Sequence, residues 1–123
     1  MSVALVIEDN SDNILLITDI LEVSGYTVLQ AKSGQEGLEV AVTQQPDFIL
    51  LDIQLPDIDG YEVIKNLLAH DESKDIPVVA MTSYAMKGDR EKLLASGCTG
   101  YIEKPINPNK VIDQIREAIG DKQ

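Results

Sequence analysis

Five short apolar runs alternate with segments of helical periodicity along this chain, and that alternation restricts its fold more than any other feature. VALVI at residues 3–7 lacks polar alternation, which suits a strand covered on both faces. From Ser11 to Ser24, the apolar Ile14, Ile17, Ile20 and Leu21 recur at helical spacing, and Gly25 is the stop signal. TVLQA at residues 27–31 is predicted as the second strand. Ser33 stands three residues ahead of Glu36, a capping-box spacing, and opens a helix with Leu38, Ala41 and Val42 on its apolar stripe; it stops before Pro46. DFILL at residues 47–51 is the most hydrophobic strand and belongs at the sheet centre. Gly60 opens a helix that turns Tyr61, Ile64, Leu67 and Leu68 inward, and HDESKD follows as a polar loop. IPVVAM at residues 76–81 is the fourth strand, with Pro77 tolerated near its start. A helix over residues 87–96 ends at Gly97, and TGYIE forms the short fifth strand. Asn107 as N-cap and Pro108 as first helical residue launch the last helix through Val111, Ile112, Ile115 and Ile119.

Repeated strand–helix units call for right-handed crossovers, so the expected fold is α/β, a parallel sheet with helices on both faces. A length of 123 residues fits one domain, residues 1–123, that needs neither disulfides nor a structural metal. Ten basic against 21 acidic side chains give a net charge of -11, which repels phosphate backbones and anionic membranes. No nucleic-acid or membrane partner is therefore expected. The single cysteine, Cys98, excludes an intrachain disulfide and suits a reducing cytoplasm; beside Gly97 it reads as a small buried side chain rather than a reactive thiol. The N-terminus lacks the basic region of a signal peptide, and no apolar run is long enough to span a bilayer.

Open α/β sheets place ligands beyond the carboxyl ends of their strands, and the unusual polar residues of this chain fall on that edge. Glu8 and Asp9 close the first strand, Asp52 the third, Thr82 the fourth and Lys104, ahead of Pro105, the fifth. With the first and third strands adjacent, three carboxylates converge and repel unless a cation intervenes. A hard divalent ion with oxygen ligands, Mg²⁺, resolves the conflict and retains waters that a phosphate can displace. The only histidine, His70, lies in a polar stretch, which leaves softer transition metals little claim. Lys104 adds a permanent positive charge and Thr82 a hydroxyl. Carboxylate, divalent ion, lysine and hydroxyl together are what transfer of a phosphoryl group onto an acid requires. Asp52, the single acid ending the central strand, is the best nucleophile, and being ionised at neutral pH it needs no general base.

Each residue alone has a bland reading. An Asp after a strand is more often a turn or cap residue, and an acidic pair ahead of a helix favours the positive end of its dipole. Lys104 alone would be a solvated lysine and Thr82 a strand-end hydroxyl. Their coincidence on one edge of one sheet favours a site. Asp57 and Asp59 read instead as loop solubilisers and turn formers.

In combination and order, VIEDN at residues 6–10, LLDIQLPDIDG at 50–60, MTSYAMKGD at 81–89 and YIEKPI at 101–106 resemble the receiver domain of bacterial two-component response regulators. The resemblance covers essentially the whole chain and is strongest to small stand-alone receivers of the DivK type and to receivers of hybrid kinases. It implies a doubly wound, flavodoxin-like and CheY-like five-stranded sheet in the order 2-1-3-4-5. It also implies phosphorylation of Asp52, Mg²⁺ ligation by Asp9, Asp52 and the backbone carbonyl of Gln54, and an outer, partly water-mediated role for Glu8. Thr82 would bind a phosphoryl oxygen, Lys104 would pair with the phosphoaspartate, Tyr101 would be an aromatic switch following Thr82, and the Lys104–Pro105 bond would be cis.

Two positions depart from the commonest pattern: Ser83 stands where receivers often carry Ala or Gly, and Glu8 where many carry Asp. The chain ends with GDKQ after its last helix, so output is expected through protein binding. The expected function is thus a phosphorylatable signalling switch, fed by a histidine kinase or histidine phosphotransfer protein. A downstream partner, or a weak homodimer, is expected on the face of the fourth helix, fifth strand and fifth helix, where Tyr84, Met86, Lys87 and Ile106 offer contacts. Two other readings share the residues: a phosphorylation-independent adaptor, and a small Mg²⁺-dependent aspartyl phosphatase. Gln54 disfavours the phosphatase, because such enzymes usually carry a second acid soon after the nucleophile, and this chain has no insertion to serve as a cap.

Overall fold

The computed structural model describes residues 2–83 and 87–120, without the side chains of residues 87–89. Its elements, in order, are β1 (Val3–Ile7), α1 (Ser11–Val23), β2 (Thr27–Ala31), α2 (Gly34–Gln44), β3 (Phe48–Asp52), α3 (Gly60–Ala69), β4 (Val78–Thr82), α4 (Lys87–Ala95), β5 (Gly100–Glu103) and α5 (Val111–Ile119). The strands form one parallel sheet in the order β2-β1-β3-β4-β5. β3 occupies the centre, and all five of its residues are buried, Asp52 among them.

Two apolar layers enclose the sheet. Ala4, Val6, Leu50, Val79 and Met81 point to the face covered by α1 and α5, where Ile14, Ile17, Val111 and Ile115 meet them. Leu5, Ile7, Ile49, Leu51 and Ala80 point the other way, onto Ala41, Ile64, Leu67 and Leu93 of α2, α3 and α4. A strand buried on both faces has no polar alternation, which is why VALVI and the FILL ahead of Asp52 read as continuous apolar runs. Each such fully buried aliphatic side chain contributes roughly 1.5–3 kcal/mol.

Helix ends follow their caps. Asn10 Oδ1 accepts from Asn13 N–H at the start of α1, Ser33 Oγ from Glu36 N–H at the start of α2, and Asp59 Oδ1 from Tyr61 N–H at the start of α3. Glu36 reaches back to Lys32 N–H at 3.4 Å, one residue before the partner of an ideal capping box.

Several sequence expectations shift. Leu68, expected to face inward, is 44 % exposed, because Val63, Ile64 and Leu67 already fill the stripe against the sheet. The last helix starts at Val111 and not at Pro108. Asn107 Oδ1 is taken by Asn109 N–H, and residues 108–110 form a turn whose last two bonds, from Lys110 and Val111 N–H, converge on the Asn107 carbonyl. β4 begins at Val78, two residues later than expected, after Pro77, which has no N–H to give a ladder. Ser73, within the supposedly polar HDESKD loop, is buried and its hydroxyl donates to the Leu67 carbonyl at 2.6 Å. Tyr84 and Met86 lie outside the described residues, as does the side chain of Lys87.

Candidate functional site

Registration of the central strands builds the site. Ile7 is paired with Leu51, so Glu8 and Asp9 leave β1 beside Asp52 at the end of β3. On the other side Asp52 pairs with Met81, and Thr82 pairs with Glu103, which puts Thr82 and Lys104 at the same edge. The Lys104 N–H donates to the Thr82 carbonyl at 2.8 Å, tying the two strand ends together. The Lys104–Pro105 peptide is cis.

Oxygens of Glu8, Asp9 and Asp52 all lie within 4.8 Å of one another. Glu8 and Asp52 are buried and Asp9 is exposed, so the cluster has a buried floor and an open side. Lys104 Nζ reaches into it, 2.9 Å from Glu8 Oε1 and 3.2 Å from Asp52 Oδ2. Burial, reinforced by hydrogen bonding to Asp52, pushes the Glu8 carboxyl above its usual range despite the Lys104 contact. Burial works against the Lys104 charge, but its hydrogen bond to Glu8 and the field of Asp52 outweigh it and hold the ammonium above the usual lysine range.

The remaining predicted residues take different stations. Thr82 is buried at the end of β4. Gln54 is exposed in the loop after β3, where its N–H donates to Asp52 Oδ1 at 2.9 Å and fixes that carboxylate. Tyr101 is half-buried on β5, away from the carboxylates, beneath the Arg90 guanidinium of α4 at 5.9 Å from the ring centroid. Beside Lys104, the side chains of Asn13, Leu16, Ser83, Pro105 and Ile106 line a depression of about 350 Å³. Ile106 thus borders the site on the α1 side.

The donor set fits a hard divalent ion. Three carboxylates whose oxygens lie within 4.8 Å of one another, one of them exposed, supply the hard oxygen donors such an ion takes.

The loop between β3 and α3 is braced by residues whose part was not read from sequence. Asp57 Oδ1 and Oδ2 accept from Gly34 and Gln35 N–H, at 2.9 and 3.0 Å, at the N-terminus of α2. These bonds hold the Asp57 carboxyl below its usual range. Gly60 N–H donates to the Ile53 carbonyl, and a Cβ on Gly60 would come within 2.6 Å of Ile53 Cα, so the close approach of this loop to β3 requires glycine. Asp57 was legible only as an acid in a loop, because its partners lie 22 and 23 residues away.

Residues 4–116 match the response regulator receiver domain family. The chain is 44 % identical over 117 residues, 95 % of each chain, to the polar-differentiation response regulator DivK of Brucella anthropi and equally so to that of Brucella abortus. In structure it is similar to the chemotaxis response regulator CheY4 of Vibrio cholerae, with a TM-score of 0.91 at 25 % identity, covering 96 % of this chain and 98 % of that one. It is also similar to the receiver domain of a sensor histidine kinase of Pseudomonas aeruginosa, at TM-score 0.87 and 32 % identity over 97 % and 98 % of the two chains. That structure carries a magnesium ion coordinated in its active-site cleft.

Proposed function

The chain belongs to the response regulator receiver family, and from that premise we propose that Asp52 is the residue it phosphorylates, in a single receiver domain spanning residues 1–123. The family function is that of a phosphoacceptor with an acidic, metal-coordinating cluster, a signalling module rather than an enzyme for an external substrate. The observation that carries the assignment is the placement of Asp52: buried, ending the central strand, held by the Gln54 N–H and facing Lys104.

In this reading a carboxylate oxygen of Asp52 attacks the phosphorus of a phosphohistidine on a kinase or phosphotransfer protein. The phosphorus–nitrogen bond breaks, its electron pair returns to the imidazole, and that nitrogen takes up a proton. Asp9, Asp52 and the Gln54 carbonyl would hold Mg²⁺, with Glu8 behind them. The ion would supply charge neutralisation for the incoming phosphoryl oxygens. Lys104 leaves its resting contact with Asp52 to pair with a phosphoryl oxygen, and Thr82 donates to another. Leu16 and Ile106 beside Lys104 give a donor protein apolar footing next to the acceptor.

Output is assigned to the face of α4, β5 and α5, for a downstream protein or a second copy of the chain. Leu94, 53 % exposed, and Tyr101 line a groove of about 390 Å³ there with Gln114, Glu117 and Ala118. No helix among the described residues is long and apolar enough to cross a membrane; a cytoplasmic setting, alongside a kinase, agrees with the phosphodonor chemistry.

Incubation with acetyl phosphate and Mg²⁺, read by intact mass, tests the assignment. The protein should gain one phosphoryl mass that hydroxylamine removes, that Asp52→Asn abolishes, and that EDTA or Asp9→Asn nearly eliminates. Label retained by Asp52→Asn, or mapped to Ser83, assigns the chemistry elsewhere. Equal rates in EDTA and in excess Mg²⁺ remove the metal from it.

A further inference from the structure

α4 is an unusual element in this fold. Its sequence, KGDREKLLA, is strongly polar, and Leu93 is its one residue buried in the core among those whose side chains are described. Among the described side chains the apolar stripe that faces the sheet is thus narrow. Among the described residues, Lys92 and Arg90 add contacts to it. Lys92 Nζ stands 4.4 Å from the centroid of the Tyr61 ring on α3. Arg90 meets β5: Nη2 donates to Glu103 Oε1 at 3.0 Å, and the guanidinium carbon lies 5.9 Å from the Tyr101 ring.

Tyr101 and Glu103 are two residues apart on β5, hence on one side of the strand, and one guanidinium spans both. Glu103 is paired with Thr82 in the sheet and is followed by Lys104, so Arg90 touches the strand one residue from the lysine that enters the carboxylate cluster. The loop entering α4 begins directly after Thr82. Arg90 thus joins α4 to the strand whose next residue, Lys104, contacts Asp52, so a change at the Lys104–Asp52 contact bears on the strand that Arg90 holds.

We propose that Arg90 is a positioning residue that holds Tyr101 and α4 in the resting arrangement of the protein, through the Glu103 ion pair and the Tyr101 ring, and must release them when Asp52 is phosphorylated. The inference rests on the phosphoacceptor reading above. Both partners of the ion pair are about half exposed, at 49 % and 55 %, so the contact is weak and breakable, as a latch for a population shift must be. Its strength also depends on ionic strength.

Tyrosines replaced throughout by meta-fluorotyrosine give a direct readout, since the chain has four and Tyr101 is identified by its loss in Tyr101→Phe. The wild-type Tyr101 fluorine resonance should move on titration with beryllofluoride and Mg²⁺. In Arg90→Ala the resonance before titration should already lie displaced towards the end point, and the midpoint should fall about two- to five-fold. Glu103→Gln should act in the same direction with a smaller effect, and Arg90→Lys should restore part of the wild-type midpoint. Salt at about 0.5 M should narrow the gap between wild type and Arg90→Ala. Arg116→Ala is the control for a merely structural loss, because Arg116 stacks 5.8 Å from the Tyr26 ring at the far side of the sheet; it should leave the midpoint unchanged. A responsive wild-type Tyr101 with an Arg90→Ala midpoint equal to wild type, or an equal shift in Arg116→Ala, overturns the role of Arg90. Binding of beryllofluoride with a silent wild-type Tyr101 overturns it as well, while leaving Asp52 as the acceptor. Absence of beryllofluoride binding strikes the phosphoacceptor reading itself.

Discussion

Lys104 Nζ donates to Glu8 Oε1 across 2.9 Å, joining residues 96 positions apart in the chain beside the buried Asp52. The contact does not fully compensate Glu8, whose carboxyl remains above its ordinary range because burial and the neighbouring Asp52 both favour its neutral form. An acid raised in the folded state binds its proton more tightly there than in the unfolded chain. Its ionisation therefore costs stability, beginning as pH rises through the unfolded value near 4.5 and complete above the folded value.

Glu8→Gln should remove that cost. In the absence of divalent ions, the stability of the variant relative to wild type should increase as pH rises from about 4 into the neutral range. Urea unfolding in EDTA at a series of pH values measures it. Parallel curves for the two proteins would show that Glu8 ionises without penalty.

Lys104→Met should have the opposite sign at neutral pH. The variant leaves Glu8 and Asp52 facing each other without their shared cation, at a cost of about 1–3 kcal/mol in EDTA. Mg²⁺ should return part of that loss, since it answers the same repulsion, and acid should return more by protonating Glu8. A Lys104→Met protein as stable as wild type in EDTA at neutral pH contradicts the role given to the ammonium.

Asp57 carries a pH dependence of the other kind. Its carboxyl is depressed by the Gly34 and Gln35 N–H groups, so its contribution is present above the unfolded value, near 4, and is lost as pH falls through the lower folded value. Asp57→Asn should be less stable than wild type at neutral pH, with the difference closing in strong acid. Loss of protection at the Gly34 and Gln35 amides in hydrogen exchange would localise the effect, and unchanged exchange there would refute the brace.

The fold was legible because burial on both sheet faces prints itself as continuous apolar runs, and Ser33 announces its helix by its spacing to Glu36. The carboxylates and Lys104 were legible because they coincide on one edge of the sheet, where each alone would read as a turn, cap or surface residue. What stayed hidden depends on partners remote in sequence or on competition for one site. Asp57 caps a helix that precedes it by more than 20 residues. Arg90 lies in a helix too polar to show a stripe, and nothing in the sequence distinguishes it from a solvated arginine before Tyr101 and Glu103 are seen beneath it. Asn107 carries the right chemistry for an N-cap but spends it on the turn ahead of α5.

Thr82→Ala should separate phosphorylation from output. Thr82 is buried at the strand end nearest Asp52 on the β4 side, and its backbone carbonyl, not its hydroxyl, accepts from Lys104, so the sheet edge survives removal of the side chain. A phosphoryl group on Asp52 brings dianionic oxygens into a cleft already holding a lysine, and a neighbouring hydroxyl gains more by turning to them than it does in the empty site. That turn would act on the face formed by α4, β5 and α5. The coupling required is modest, about 1–3 kcal/mol, or roughly five- to 150-fold in partner affinity. Thr82→Ala should consequently accept a phosphoryl group on Asp52, by intact mass, yet lose most of the phosphorylation-dependent gain in binding. NMR supplies the measurement without a partner in hand: beryllofluoride and Mg²⁺ should shift amides of α4 and β5 in wild type, and the shifts should remain confined to Asp9, Asp52 and their neighbours in Thr82→Ala. Equal propagation to α4 in both proteins would mean that the signal leaves the site by another route.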